Sequence, residues 1–336
     1  MALSAPPTLT LSFSPSGPEY AISEQCVMPS ITAVATLKNL VVDPRNPVQY
    51  QWTVSLVFTG SATCVHSMGR STSHTPISST TSTNSFRIPF TQVRGGDLTV
   101  KVTARTGTTA VSAQSSGLKI VGTNPSLGSL QFAAPAKAAF RKLTRLESGL
   151  KQFLSGGCPK FSEDNKGGVG LCQLTNPAPT ADQIWSWKEN LKGGIALWND
   201  KEGIAKSYPG QVRSGSHFLG LVKAYNAQLA AAALAAAKAA KKPTPAFTPV
   251  AVTLPDFTDE QLQRDTLRGF NGWATGLHEY RVKVDANGML VVAQGAAQWE
   301  AVTAAARIEH YKSAGLAKEN WGDPNYVDDV ERQATF

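Results

Sequence analysis

The sequence predicts two domains in tandem: an all-β sandwich over residues 1–124, then a mainly α domain with a small β-hairpin over residues 125–336. Three observations carry this. Short runs alternate apolar and polar residues up to about residue 125, and after it apolar residues recur at spacings of three and four. Ser, Thr and Val dominate the first part, and that bias ends at Thr123-Asn124-Pro125. A chain of 336 residues also exceeds one ordinary core and suits two.

The alternating runs are Thr8–Phe13, Ile31–Leu37, Tyr50–Phe58, Ser85–Phe90, Leu98–Ala104 and Ala110–Val121. Their period of two and β-branched content suit half-buried strands. Asp43-Pro44-Arg45-Asn46-Pro47 and Gly95-Gly96 punctuate them as turns. About six or seven strands in such a length predict an antiparallel sandwich. Trp52 falls on the core side of its strand, where an immunoglobulin-like sandwich has a packing anchor. The Ser/Thr stretch from Ser71 to Ser85 reads as a long, mobile loop.

Helical spacing covers Ala133–Phe153 and Ala181–Ile204. His217–Lys242 is Ala-rich and ends at the breaker Lys242-Pro243-Thr244-Pro245. A proline-rich connection, Pro243–Pro255, leads to a helix entered at Thr258, with Asp259 and Glu260 placed to suit its dipole. Asp285-Ala286-Asn287-Gly288 is the turn of a hairpin spanning Arg281–Gln294. A last helix is expected over Gln298–Ser313.

A net charge of +8 favours polyanionic partners. No Lys/Arg run reads as a nucleic-acid stripe, and no uninterrupted run of about eighteen apolar residues occurs, so neither nucleic acid nor membrane is expected as a partner. The first residues lack the basic and apolar regions of a signal peptide, so disulfides in this chain would imply export by a route other than the general one. The cysteines fall as Cys26 with Cys64 and Cys158 with Cys172, one pair per expected domain. Two disulfides fit this count, although three connectivities and four free thiols are all open. His66, His74, His217, His278 and His310 never pair at metal-ligand spacing, so neither metal nor cofactor is expected.

Chemistry gathers first at Arg145-Leu146-Glu147-Ser148-Gly149, near the end of an amphipathic helix. Glu147 lies close to the apolar side, and a partly dry carboxyl group suits a general acid. Then comes Gly167-Gly168-Val169-Gly170-Leu171-Cys172-Gln173, whose glycines allow close backbone approach and whose amide can both donate and accept. No Gly-Lys-Ser/Thr follows, which excludes a phosphate loop. Trp185, Trp187 and Trp198 are either core residues or faces for pyranose rings.

Together these elements resemble the soluble lytic transglycosylase and goose-type lysozyme superfamily. Its Glu-Ser pair corresponds to Glu147-Ser148, and its Gly-x-Gly-Leu-x-Gln element to Gly168-Val169-Gly170-Leu171-Cys172-Gln173. Its aromatic-Asn-x-Gly segment looks like Phe270-Asn271-Gly272-Trp273 with Gly269 before it, and its late Tyr looks like Tyr326. Ala224-Tyr225-Asn226-Ala227 matches half of the third element but lacks the glycine. The stretch around residues 209–257 reads as a helical insertion in that fold.

The resemblance implies a lysozyme-like domain that cuts the MurNAc–GlcNAc β-1,4 bond of peptidoglycan. Glu147 protonates the glycosidic oxygen, and Ser148, Gly170, Leu171, Gln173, Phe270, Asn271 and Tyr326 bind the glycan. In the transglycosylase branch the muramoyl C6 hydroxyl then attacks, giving a 1,6-anhydro end. A muramidase of the same fold would need a second carboxylate, for which Glu163 and Asp164 are the candidates. A different class of reading is a catalytically silent glycan-binding or assembly module of a phage tail or secretion system. A wall-cutting chain without a leader implies a phage or type VI secretion carrier, action in the periplasm or at the wall, and, for an injected toxin, an immunity protein.

Overall fold

The computed structural model describes residues 5–42, 44–60, 64, 66–67, 69–164, 166–243 and 246–336. Asp43, Thr244 and Pro245, named above within turns and breakers, lie outside these. The chain divides into two compact units: Met1–Ala136 with Thr144–Gly194 and Phe336, and Lys137–Leu143 with Ile195–Thr335.

Among the described residues the first unit contains two sheets. Strand β1 (Thr8–Ser14) pairs antiparallel with β3 (Thr32–Lys38), which pairs with β7 (Ser85–Arg87). The larger sheet centres on β4 (Gln49–Thr59) and β8 (Gly96–Thr106), in register from Gln49↔Arg105 to Val57↔Asp97. Every second residue of β4 from Tyr50 to Phe58 is buried, as the alternation predicts. On the far edge of β4 lie β5 (Ser71–Ser73) and β6 (Ile77–Thr81). On that of β8 lie β9 (Thr109–Gln114) and β10 (Leu118–Val121), and β2 (Glu19–Ala21) runs parallel to β10. Trp52 is 1 % exposed, stacks on Phe86 of the other sheet at 5.5 Å, and donates its indole N–H to Thr81.

Two expectations need correction here. The Ser71–Ser85 stretch is not a single long loop: β5 and β6 lie within it. The expected run Ala110–Val121 is broken in two, with Gly117 at φ +69° between the halves.

The division of the chain also departs from the expected boundary at 124/125. Phe153, Phe161, Val169, Ile184 and Trp185 share one apolar core with the sandwich strands. Phe58 meets Trp185 edge-on at 5.3 Å and stacks with Phe161 at 6.4 Å. Gly95 and Gly122 leave room for Trp185 and Phe153, where a Cβ would collide. Pro125 thus marks a change of secondary structure, and not the edge of a core.

The expected helix Ala133–Phe153 is two helices, α1 (Leu127–Ala133) and α2 (Ala138–Ser148), separated at Pro135. Likewise Ala181–Ile204 is α3 (Ala181–Trp185) followed by α4 (Trp187–Ser214), parted at Ser186. The second unit continues with α5 (Ser216–Ala239) and α6 (Asp259–Phe270), whose Thr258 and Gln261 form a reciprocal capping box. Phe218 of α5 shares a small core with Leu254, Val282, Leu290 and Ala297.

The hairpin turn is present, with Asp285 N–H bonded to Met289 O and Gly288 at φ +75°. Its strands are arranged differently from the expectation. β11 (Tyr280–Val282) pairs with β14 (Trp299–Ala301), and β12 (Val292–Ala293) pairs with β13 (Ala296–Ala297). The last long helix therefore starts later than Gln298, as α7 (Ala304–Ser313) capped by Thr303, and α8 (Tyr326–Glu331) comes after it.

One helix among the described residues, Ser216–Ala239, is long and apolar enough by length and composition to cross a membrane. A helix can contain scattered polar residues and still be apolar enough on average, so the lack of an uninterrupted apolar run did not exclude it.

Candidate active site

Helix α2 stops where Gly149 and Leu150 both take positive φ, +63° and +64°. Glu147 lies in its last turn and is half-buried. Ser148 is buried, and its hydroxyl donates to Thr144 O within the helix. Lys160 Nζ donates to Ser148 O at 2.7 Å, placing a cation on the free carbonyl end of the helix. Burial pulls that ammonium below the ordinary lysine range, and Glu163 acts in the opposite sense.

The next loop is held by two buried amides that local sequence patterns do not reveal. Gln152, 0 % exposed, donates to Gln183 O and Ile184 O and accepts from Leu171 N–H. Asn190, equally buried, accepts from Cys172 N–H and donates to Val169 O. Gly170, at φ +74°, leaves no space for a Cβ against these two side chains. Gln173 has φ +46°, and its side-chain N–H group closes the turn onto Gly170 O at 2.8 Å. Leu171 and Val169 point into the core, and each is 0 % exposed.

Glu147 lies beside this turn. The Cys172 thiol is pushed up to about 12, by burial first and by the charge of Glu147 second, with a hydrogen bond to Thr144 opposing both. The acid and the glutamine turn are therefore neighbours within one compact unit. Glu163 and Asp164 lie in an exposed turn. Partial burial works against the Asp164 charge, but hydrogen bonds from Lys166 and Ser162 outweigh it and hold the carboxyl below its ordinary value.

The two later elements belong to the second unit. Asn271 ends α6, and its Oδ1 accepts from Arg268 Nη2 at 2.8 Å. Arg268, 0 % exposed, also donates to Asp323 O and to the Tyr311 hydroxyl. One guanidinium thus draws Phe270-Asn271-Gly272 together with the segment that leads into Tyr326. Tyr326 is buried at the start of α8, and Phe270 packs near Trp198 at 6.2 Å. The alternative Asn226 instead ties α5 to Val250 through two hydrogen bonds.

Several other expectations resolve structurally. Trp185, Trp187 and Trp198 are 2–3 % exposed, so all three are core residues. The expected cysteine pairs do not form. Cys64 bonds to Cys158, while Cys26 and Cys172 are free. Pairing is set by proximity in space, and Cys158 packs against the sandwich core that contains Cys64. His278 is not isolated: its Nδ1 meets the fully buried Asp265 at 2.8 Å, and its ring lies between Tyr208 and Trp273. Burial and, second to it, the charge of Asp265 push the Tyr208 phenol up to about 12.

The first unit also has a cleft of about 530 Å³ beside Cys26, Met28, Arg87 and Phe90. A second, of about 400 Å³, lies against Phe58, Asp97, Trp185 and the disulfide. Neither is lined by Glu147 or Gln173. Comparison of the chain with family models, with curated proteins and with solved structures finds no match.

Proposed function

We propose that this chain cleaves peptidoglycan glycan strands at the MurNAc–GlcNAc bond, with Glu147 as general acid on a lysozyme-like helical element that is built onto the core of an immunoglobulin-like sandwich. The observation that carries this reading is the half-buried Glu147 in the last turn of α2, where Lys160 links Ser148 O to Gly170 N–H of the rigidly anchored glycine turn that bears Gln173. A general acid must be fixed and partly withdrawn from water, and its neighbour must offer amide groups to a sugar. The transglycosylase outcome fits better than the muramidase one, because Asp164 is committed to the Lys166 N–H and Glu163 is exposed. The disulfide suits work outside the reducing cytosol, as delivery by a phage or secretion carrier would require.

A silent glycan-binding or assembly module is the second reading. It is favoured by the internal use of Ser148 Oγ, Gln173 Nε2 and Asn271 Oδ1 and by the two clefts described above, neither of which Glu147 lines. Loss of turbidity from purified cell walls separates the two. Glu147→Gln lowers the rate by roughly 10²–10⁴-fold, the usual contribution of a general acid. Mass spectrometry of the products then shows 1,6-anhydro ends. A wild-type chain that leaves walls intact, or a Glu147→Gln variant that clears them at the same rate, refutes the enzyme reading.

A further inference from the structure

We infer that the outer face of α5 docks on an anionic lipid bilayer. The helix has 24 residues, and only 6 % of its most apolar stretch is buried. At 1.5 Å per residue it presents a rod of about 36 Å. Its inner face is used by the small core that contains Phe218, Leu221, Val222 and Tyr225. Leu219, Lys223, Ala227, Ala231, Leu234 and Lys238 succeed one another at spacings of three or four, and all are exposed. They therefore share the opposite face. The return segment adds Phe247, 36 % exposed, and Val250, 42 % exposed, and Asn226 fastens that segment to the helix.

Charge selects the occupant. Residues 203–255 contain no Asp or Glu. Lys223, Lys238, Lys241 and Lys242 are exposed, and none joins an ion pair among the described residues. A face that combines apolar side chains with charge of one sign is the pattern that an anionic lipid surface recognises. A second copy of the chain would bring lysine against lysine with no anion between them. Nucleic acid would answer the lysines but leave the leucines, Phe247 and Val250 in water. The inference is independent of wall cleavage.

The test is flotation of the full-length chain with vesicles of equal parts phosphatidylglycerol and phosphatidylcholine, and with vesicles of phosphatidylcholine alone. The wild type floats with the first and stays behind with the second. Reversing Lys223, Lys238, Lys241 and Lys242 to Glu lowers partitioning by about tenfold or more, and added salt weakens it. Leu219→Asn with Leu234→Asn lowers it as well, with thermal unfolding unchanged. The inference is overturned if the wild type ignores anionic vesicles or if the reversed-charge variant floats equally well. It is also overturned if sedimentation shows a concentration-dependent dimer that the leucine changes abolish.

Discussion

Glu24 lies after β2, yet its carboxylate accepts from the Ser126 N–H at 2.7 Å and from the Ser129 hydroxyl at 2.6 Å, over the entrance to α1. Hydrogen bonds from Ser126 and then Ser129 bring its pKa down from 4.5 to about 2. A carboxylate depressed in the folded state holds fewer protons there than in the unfolded chain. Its stabilising effect is therefore whole above pH 4.5 and fades as pH falls toward about 2. Urea midpoints tracked through that window fall more gently for Glu24→Gln than for the wild type. An equal slope would show that the contact contributes nothing. Nothing in the local sequence betrays this partnership, because the two ends are 102 residues apart. Gln152 and Asn190 are hidden for a similar reason: a buried amide has no periodicity, and its partners are backbone groups elsewhere. Glu147 and Gln173 are legible because the glycines around the second and the helix end at the first leave local patterns.

At the level of single elements, the glycine turn and the end of α2 make a useful pair. Gly149 and Gly170 both have positive φ, but a Cβ at Gly149 meets nothing within 4 Å, whereas at Gly170 it runs into Gln152 and Asn190. Gly149→Ala should cost roughly 1–2 kcal/mol, the backbone penalty alone. Gly170→Ala should cost about 1–3 kcal/mol more, since it also overpacks a buried amide network. Chemical denaturation of the two variants checks the order, and equal losses would refute the anchored turn. The strands β4 and β8 can be read from the sequence because one face of each is dry, which imposes alternation. Strands β5 and β6 cannot, since Ser and Thr occupy both faces and give no contrast. The break between α1 and α2 is masked because apolar spacing persists across Pro135. Gln298–Ala301 looks helical for want of a turn signal before Thr303.

For the molecule as a whole, the disulfide joins Cys64 and Cys158 across a separation of 94 residues. Closing a loop of this size in the unfolded chain is worth about 4–5 kcal/mol on the chain-entropy account. Cys64→Ser should lose that much in urea unfolding, and reductant should then have no further effect on it. Cys26→Ser should behave as wild type, because that thiol is free. A wild type insensitive to reductant would sink the prediction. The crossed pairing is beyond reach of the sequence alone, which places Cys158 in a separate domain. Residues 144–194 share the sandwich core, and no feature of composition marks that allegiance.

The chain enters each compact unit more than once, since Lys137–Leu143 belongs with the stretch beyond Gly194 and Phe336 returns to the first. Genetic shuffling at any one of these junctions would consequently divide the first unit. A chain cut short before Trp185, sixty-odd residues past the end of β10, would likewise leave the sandwich without part of its own core.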